Sequence, residues 1–192
     1  MYEGIDTLVI HDELALEDSL PFVWQPITGP LTTAVLQRHA DSNLHLLQAC
    51  LALDDQITHD NPDEAIPQSA ELARLDSKMN LVLDLLGRLL AQHQSYPAPS
   101  RIRFNARGAE WTMAAAQAAQ TDTETCGVLE IYLRECLVDP LKLIGRVEQI
   151  AKGGRVAVRF DAQPDAVMNL LGKFIFRQHR RRVADARHPK RA

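Results

Sequence analysis

Leu72, Leu75, Met79, Val82, Leu86 and Leu89 recur at alternating three- and four-residue spacings within residues 69–94, SAELARLDSKMNLVLDLLGRLLAQHQ. That is the a/d seam of a heptad repeat. Ser69 is placed to cap the helix start, and Pro97 and Pro99 stop the run. Gly87 weakens it by about 1 kcal/mol relative to alanine. At 1.5 Å per residue the helix would be roughly 35–40 Å long, more than a small domain covers along one side. In its first half the flanking e and g positions are Glu71, Asp76 and Lys78; in the second half they become Leu83, Leu85 and Leu90. A two-stranded coil needs only a and d, so the wider face calls for several neighbours, from the same chain or from copies of it. Self-association through this helix is the reading adopted.

Upstream, residues 31–58 form a second long helical pattern, with Leu36, Ala40, Leu44, Leu47 and Leu51 on one face and Arg38, His45 and Gln48 off it. A polar turn at residues 58–64 joins the two patterns, which together predict a helical hairpin with antiparallel arms. Before them, residues 5–10 and 20–24 are short apolar pieces that read as strands or extended arms. Pro26, Gly29 and Pro30 mark the break.

Beyond Pro99 the period changes to two. Residues 101–105 and 109–113 predict strands around a turn at Arg107-Gly108, and residues 127–138 (GVLEIYLRECLV) predict a third. Residues 141–151 and 155–160 predict a hairpin closed by Gly153-Gly154. Pro164 then opens a final helix with Val167, Leu170, Leu171, Phe174 and Ile175 on its apolar face. Several short antiparallel strands with one closing helix predict a small barrel, an arrangement that hides sheet edges.

Composition changes this picture in two ways. The 192 residues are 46% apolar and 24% charged, the balance of a soluble globular chain with no apolar run near the roughly 20 residues that span a bilayer. With no basic-then-apolar N-terminal leader pattern, the expectation is a cytoplasmic protein without membrane insertion. Cys50, Cys126 and Cys136 lie in apolar surroundings and are odd in number, which reads as buried reduced thiols. Charge is placed unevenly: residues 173–192 carry eight Lys/Arg and one Asp, +7, which leaves −11 on residues 1–172 of a chain whose net charge is −4. A basic end on an acidic body points to an acidic surface, its own or a partner's.

Catalytic patterns are missing from the sequence. It contains no glycine-rich phosphate loop, HExxH, CxxC or GxSxG, and its seven histidines lack ligand spacing. Asp54, Asp55, His59 and Asp60 have metal-ligand chemistry but read as a polar helix end before Asn61-Pro62. Glu130, Glu135 and Glu148 alternate with Arg134 and Arg146, as surface cross-strand pairs do. Trp24 and Trp111 read as packing residues. The expectation is a protein that is not an enzyme, with no catalytic residues and no metal.

A strand running into a glycine turn at residues 101–108, then Gly145-Arg-Val-Glu, the hairpin GGRVAVRF (153–160) and an arginine-bearing helix around Phe174-Ile-Phe-Arg follow one another in a telling order. This order resembles the PilZ domain, a six-stranded antiparallel barrel with a C-terminal helix. The resemblance covers residues 99–182 and leaves open whether residues 1–26 complete the barrel. It implies an α+β fold: a PilZ-like barrel and closing helix over residues 99–183, an inserted helical hairpin or coiled-coil oligomerisation element over 31–94, and a basic tail over 184–192.

The resemblance also implies cyclic di-GMP-related signalling in a bacterium. The family grips the dinucleotide with an RxxxR motif and a (D/N)xSxxG motif, in which arginines hold phosphate and stack on guanine. Here the second motif aligns with Arg103, Asn105, Arg107 and Gly108; the glycine matches, but arginine stands for Asp/Asn and asparagine for Ser. Residues 1–37 contain no arginine, so the upstream motif is missing; RxxxR spacings occur elsewhere, among them Arg103/Arg107 and Arg177/Arg181. The expectation is therefore a cofactor-free adaptor in motility, pili or virulence, favouring a homotetramer, that contacts a signalling or pilus protein and does not hold cyclic di-GMP tightly. A working receptor built on Arg103 and Arg107 is one alternative. A polyanion or nucleic-acid binder using Arg177, Arg180, Arg181 and Arg182 is the other.

Overall fold

Alternation of buried and exposed side chains along successive strands curls one antiparallel sheet around an apolar interior. The computed structural model describes residues 9–10, 13–29, 31–59, 74–75, 78–79, 81–82, 96–118, 121–134, 136–151, 153–161 and 163–187. The chain opens with β1 (Val9–Ile10), β2 (Glu13–Leu14), β3 (Leu16–Leu20) and β4 (Phe22–Pro26), followed by α1 (Thr33–His59). After the heptad segment come β5 (Ser100–Phe104), β6 (Gly108–Thr112), the single turn α2 (Ala115–Ala118), β7 (Cys126–Ile131), β8 (Leu141–Ile150), β9 (Arg155–Phe160) and α3 (Asp165–Arg187).

The main sheet has seven strands in the order β3-β5-β6-β9-β8-β7-β4, with β1 and β2 pairing as a separate ribbon. Six strands were expected; the extra one arises at Pro21. The apolar piece at residues 20–24 splits there, because proline has no N–H to continue a ladder. Leu20 ends β3 opposite Ser100, and Phe22 begins β4 opposite Ile131. The two outermost strands are thus consecutive in the chain, and one residue between them brings both sheet edges to the same corner. Tyr132 N donates to Pro21 O across it (3.0 Å).

Aromatic contacts show how far the sheet curls. Trp111 on β6 lies 5.7 Å, ring centre to ring centre, from both Phe22 and Trp24 on β4, strands that are not neighbours in the sheet. The contact crosses the interior of a half-barrel. Ile102, Phe104, Leu129, Ile131, Leu141, Leu143, Val156 and Val158 fill the same space, each fully buried or nearly so. Burial of one such side chain contributes roughly 1.5–3 kcal/mol.

Strand β7 is shorter than the expected 127–138. Its ladder with β8 closes at Ile131 opposite Leu141, and residues 132–140 form the connection. The β8–β9 hairpin forms as expected, with Gly153 (φ +93°) and Gly154 (φ +79°) in the left-handed region and a register shift between Val147 and Gln149.

α3 buries Val167, Leu171, Phe174 and Ile175 against the sheet, and it continues to Arg187, through residues read as the start of a tail. α1 packs on α3 and β8. Its buried face is rotated from the expected one: Ala40, Asn43, Leu46, Leu47, Cys50 and Asp54 are buried, and Leu36 is exposed. Asn43 explains part of the rotation. Its amide donates to Lys142 O (2.7 Å) and its carbonyl accepts from Lys142 N (2.9 Å). β9 pairs with β8 only from Gly145 onward, so the side chain stands in for a missing strand beside Lys142. The turn between the two long helices, and any pairing of α1 with the heptad helix, lie outside the described residues.

Gly127 lies against the indole of Trp24, where a Cβ would come within 2.4 Å of the ring. Gly127→Ala should destabilise the fold by about 1–3 kcal/mol through overpacking, read by thermal unfolding. Trp24→Phe, which removes the obstructing ring, should restore most of the loss in the double variant.

Candidate functional site

The β5–β6 turn carries the four residues aligned with the nucleotide motif. Asn105 is buried and organises it: its carbonyl oxygen accepts from Arg107 N (2.8 Å) and Gly108 N (2.9 Å), the side-chain turn that asparagine favours. Its amide donates to Ile10 O (2.5 Å), and Ile10 is itself buried. The N-terminal ribbon is therefore tied to this turn by a hydrogen bond that water cannot readily replace. Gly108 is buried beside it. The Arg107 guanidinium pairs with Glu13 of the same ribbon, and Arg103 pairs with Glu110 across the hairpin at 3.7 Å. Asn105 thus faces protein backbone, while Arg107 and Arg103 remain part-exposed and engaged with carboxylates. Glu13 was not expected here; only the topology brings it to the turn.

The second cluster forms at the distal part of α1. Asp54 is buried and accepts from Arg134 Nη2 (2.5 Å), Gln178 Nε2 (2.7 Å) and Arg181 Nη1 (3.3 Å). One turn back, Leu51 O accepts from Arg177 Nη1 (3.2 Å). These contacts join α1, α3 and the 132–140 connection at one carboxylate. Asp54 was expected as part of a polar helix end, but it is the centre of an ionic junction. Arg134, expected in a cross-strand pair, serves this junction because β7 has already ended. The signal was present: Asp54 lies seven residues after Leu47, on the same buried stripe. Nearby, burial pushes the Cys50 thiol up to about 11, against the favourable pull of Arg134. Cys50 is buried as expected, but Cys126 is half-buried and Cys136 exposed; all three are free thiols. The side chains of Asp55 and His59, Asp60 and Glu135 lie outside the described residues, and among the described residues no group of three or more ligand-type side chains could hold a metal ion.

The basic residues of α3 divide by direction. Arg177 and Arg181 turn to α1, Arg182 pairs with Asp18 of β3 at 2.6 Å, and Arg180 is exposed. Much of the positive charge is thus met by acids or carbonyls of the same chain.

Of the heptad seam, Leu75, Met79 and Val82 are described; they are helical and 61%, 60% and 50% exposed. Leu72, Leu86 and Leu89 lie outside the described residues. Leu81, also helical, adds a fourth exposed apolar side chain. A single chain leaves this surface in water.

Open depressions mark the surface formed by the described residues. One of about 420 Å³ lies between α1 and the 132–140 connection, lined by Ser42, His45, Leu46, Leu137, Val138 and Asp139. Another, about 230 Å³, lies on the outer sheet by Glu110, Gln149, Ala151, Arg155 and Ala157. Neither is lined by Arg103, Asn105, Arg107 or Gly108. Among the described residues no helix is long and apolar enough to cross a membrane.

A family model described as "Atypical PilZ domain, cyclic di-GMP receptor" matches residues 47–188. A solved structure of a pathogenic protein from Xanthomonas campestris, described as a new tetrameric PilZ domain self-assembled via an unusual helical bundle, is 25% identical. The match covers 92% of this chain and 93% of that one with a TM-score of 0.72. No curated protein matches.

Asp54→Ala leaves Arg134 and Arg181 facing each other without their shared carboxylate. Both arginines are about a third exposed or less, so water screens part of the loss. The variant should lose about 2 kcal/mol in urea unfolding, and Asp54→Asn, which retains acceptor geometry, should lose less.

Proposed function

The chain belongs to the atypical PilZ domain family, and from that premise we propose that it is a non-catalytic adaptor that self-assembles through its heptad helix into a tetramer. It would act in cyclic di-GMP-related control of a bacterial motility, pilus or virulence system without holding the nucleotide tightly. The observation that carries the assembly is the row Leu75, Met79 and Val82, apolar, helical and half exposed or more in the single chain. Each such side chain would contribute roughly 1.5–3 kcal/mol on burial. Copies of the same helix supply a matching row, and closed symmetry lets every row be covered. The Xanthomonas campestris protein, with its helical-bundle tetramer, supports this arrangement by likeness. Its location in the cytoplasm is part of the proposal.

Weak nucleotide binding follows from where the motif groups are spent. Asn105 is buried against Ile10, and Arg107 is held by Glu13, a carboxylate placed where a ligand phosphate would have to compete. The family description favours the second reading, a working cyclic di-GMP receptor through Arg103 and Arg107. Those arginines lie on one hairpin and remain part-exposed, so displacement of Glu13 by a phosphate would free one of them.

Two measurements separate these readings. Val82→Glu combined with Leu86→Glu should convert the assembly to smaller species in analytical ultracentrifugation; an unchanged mass would refute assembly through this helix. Isothermal titration with cyclic di-GMP should show no binding at micromolar concentration, whereas micromolar or tighter binding that disappears in Arg103→Ala or Arg107→Ala would establish the receptor instead.

A further inference from the structure

The outward side of α3 carries an arrangement that the fold itself does not use. Val167, Leu171, Phe174 and Ile175 point into the core. Helical geometry therefore places Gly172, Lys173, Phe176 and Arg180 together on the opposite side. Phe176 is 54% exposed. A Cβ at Gly172 would meet nothing within 4 Å, so no close approach among the described residues requires glycine there. Glycine within a helix weakens it relative to alanine. What this one provides is a bare notch one turn before an exposed aromatic ring.

The charges beside the notch are also unused. Arg181 and Arg182 pair with acids of the same chain, but Lys173 and Arg180 make no ion pair among the described residues. The two flank Phe176, one on each side along the helix.

We propose that this face is a docking surface for an acidic amphipathic helix of another protein. An apolar side chain of that helix enters the notch at Gly172 against Phe176, while carboxylates on either side meet Lys173 and Arg180. Glycine permits close approach of a second helix, and an exposed ring with flanking cations is a compact recognition centre. A membrane surface would use a broader apolar face than one ring and gain nothing from the notch. Nucleic-acid phosphates would engage the cations and leave the notch empty. The inference rests on the adaptor reading for the role of the partner, but docking on α3 does not require the heptad helix, so the two fail separately.

The probe is a fluorescent synthetic helical peptide bearing Glu, Leu and Glu along one face, with a control in which Lys replaces both Glu residues. Fluorescence anisotropy at low salt should show binding of the glutamate peptide and not of the control. Phe176→Ala, and Lys173→Glu with Arg180→Glu, should each weaken it by about tenfold or more. Gly172→Ala should raise the melting temperature by about 2–4 °C and yet weaken the peptide, a pair of effects that a purely structural glycine would not give. No binding, or binding indifferent to these substitutions, overturns the proposal. So does preferential binding of phosphatidylglycerol vesicles through Phe176, which would assign the face to a membrane. A smaller sedimenting species for Phe176→Ala would assign it to a second copy of this chain and overturn it equally.

Discussion

The corner at Pro21 sets the shape of the whole protein. One residue separates the two outermost strands of the main sheet, so β3 and β4 must leave the same point in opposite registers. A flat seven-stranded sheet would hold its edges many ångströms apart, at about 4.8 Å per strand. The chain permits no such separation, and the sheet has to curl. Curling faces Phe22 and Trp24 toward Trp111 and turns alternating strands into a closed apolar interior.

Once the interior is closed, the helices have limited options. α3 covers the sheet with four buried side chains, and α1 fits between α3 and the exposed flank of β8. Both polar contacts of α1 replace something the sheet lacks. Asn43 supplies a strand's hydrogen bonds at Lys142, and Asp54 supplies a counter-charge for arginines that a short β7 and a long α3 bring together. Buried polar groups of this kind contribute orientation, because a helix displaced by one turn would leave each without partners. α1 is therefore tied to β8 through Asn43 and to α3 and the 132–140 connection through Asp54.

The family match covers residues 47–188, and the side chains at the β5–β6 turn are engaged within the chain. Asn105 keeps the turn and uses its remaining amide on the N-terminal ribbon. Arg107 keeps a cationic position but finds Glu13 within the chain. A fold can persist when a binding site changes, since core packing and ligand contacts depend on different side chains.

Periodicity located the strands and the closing helix beyond Pro99 and the apolar face of α3, although β7 stops at Ile131 and the single turn α2 carries no such pattern. In the elements it located, the buried residues repeat at the spacing of their own element, so local order carries the information. It was insufficient wherever a partner lies far along the chain. Nothing local to Glu13 announces Arg107, nothing local to Asp54 announces Arg134 and Arg181, and the missing strand beside Lys142 becomes visible only when β9 is seen to stop at Phe160. Pro21 belongs to both groups: its effect on the ladder was implicit in its chemistry, but that its two sides become opposite edges of one sheet was decided by tertiary pairing.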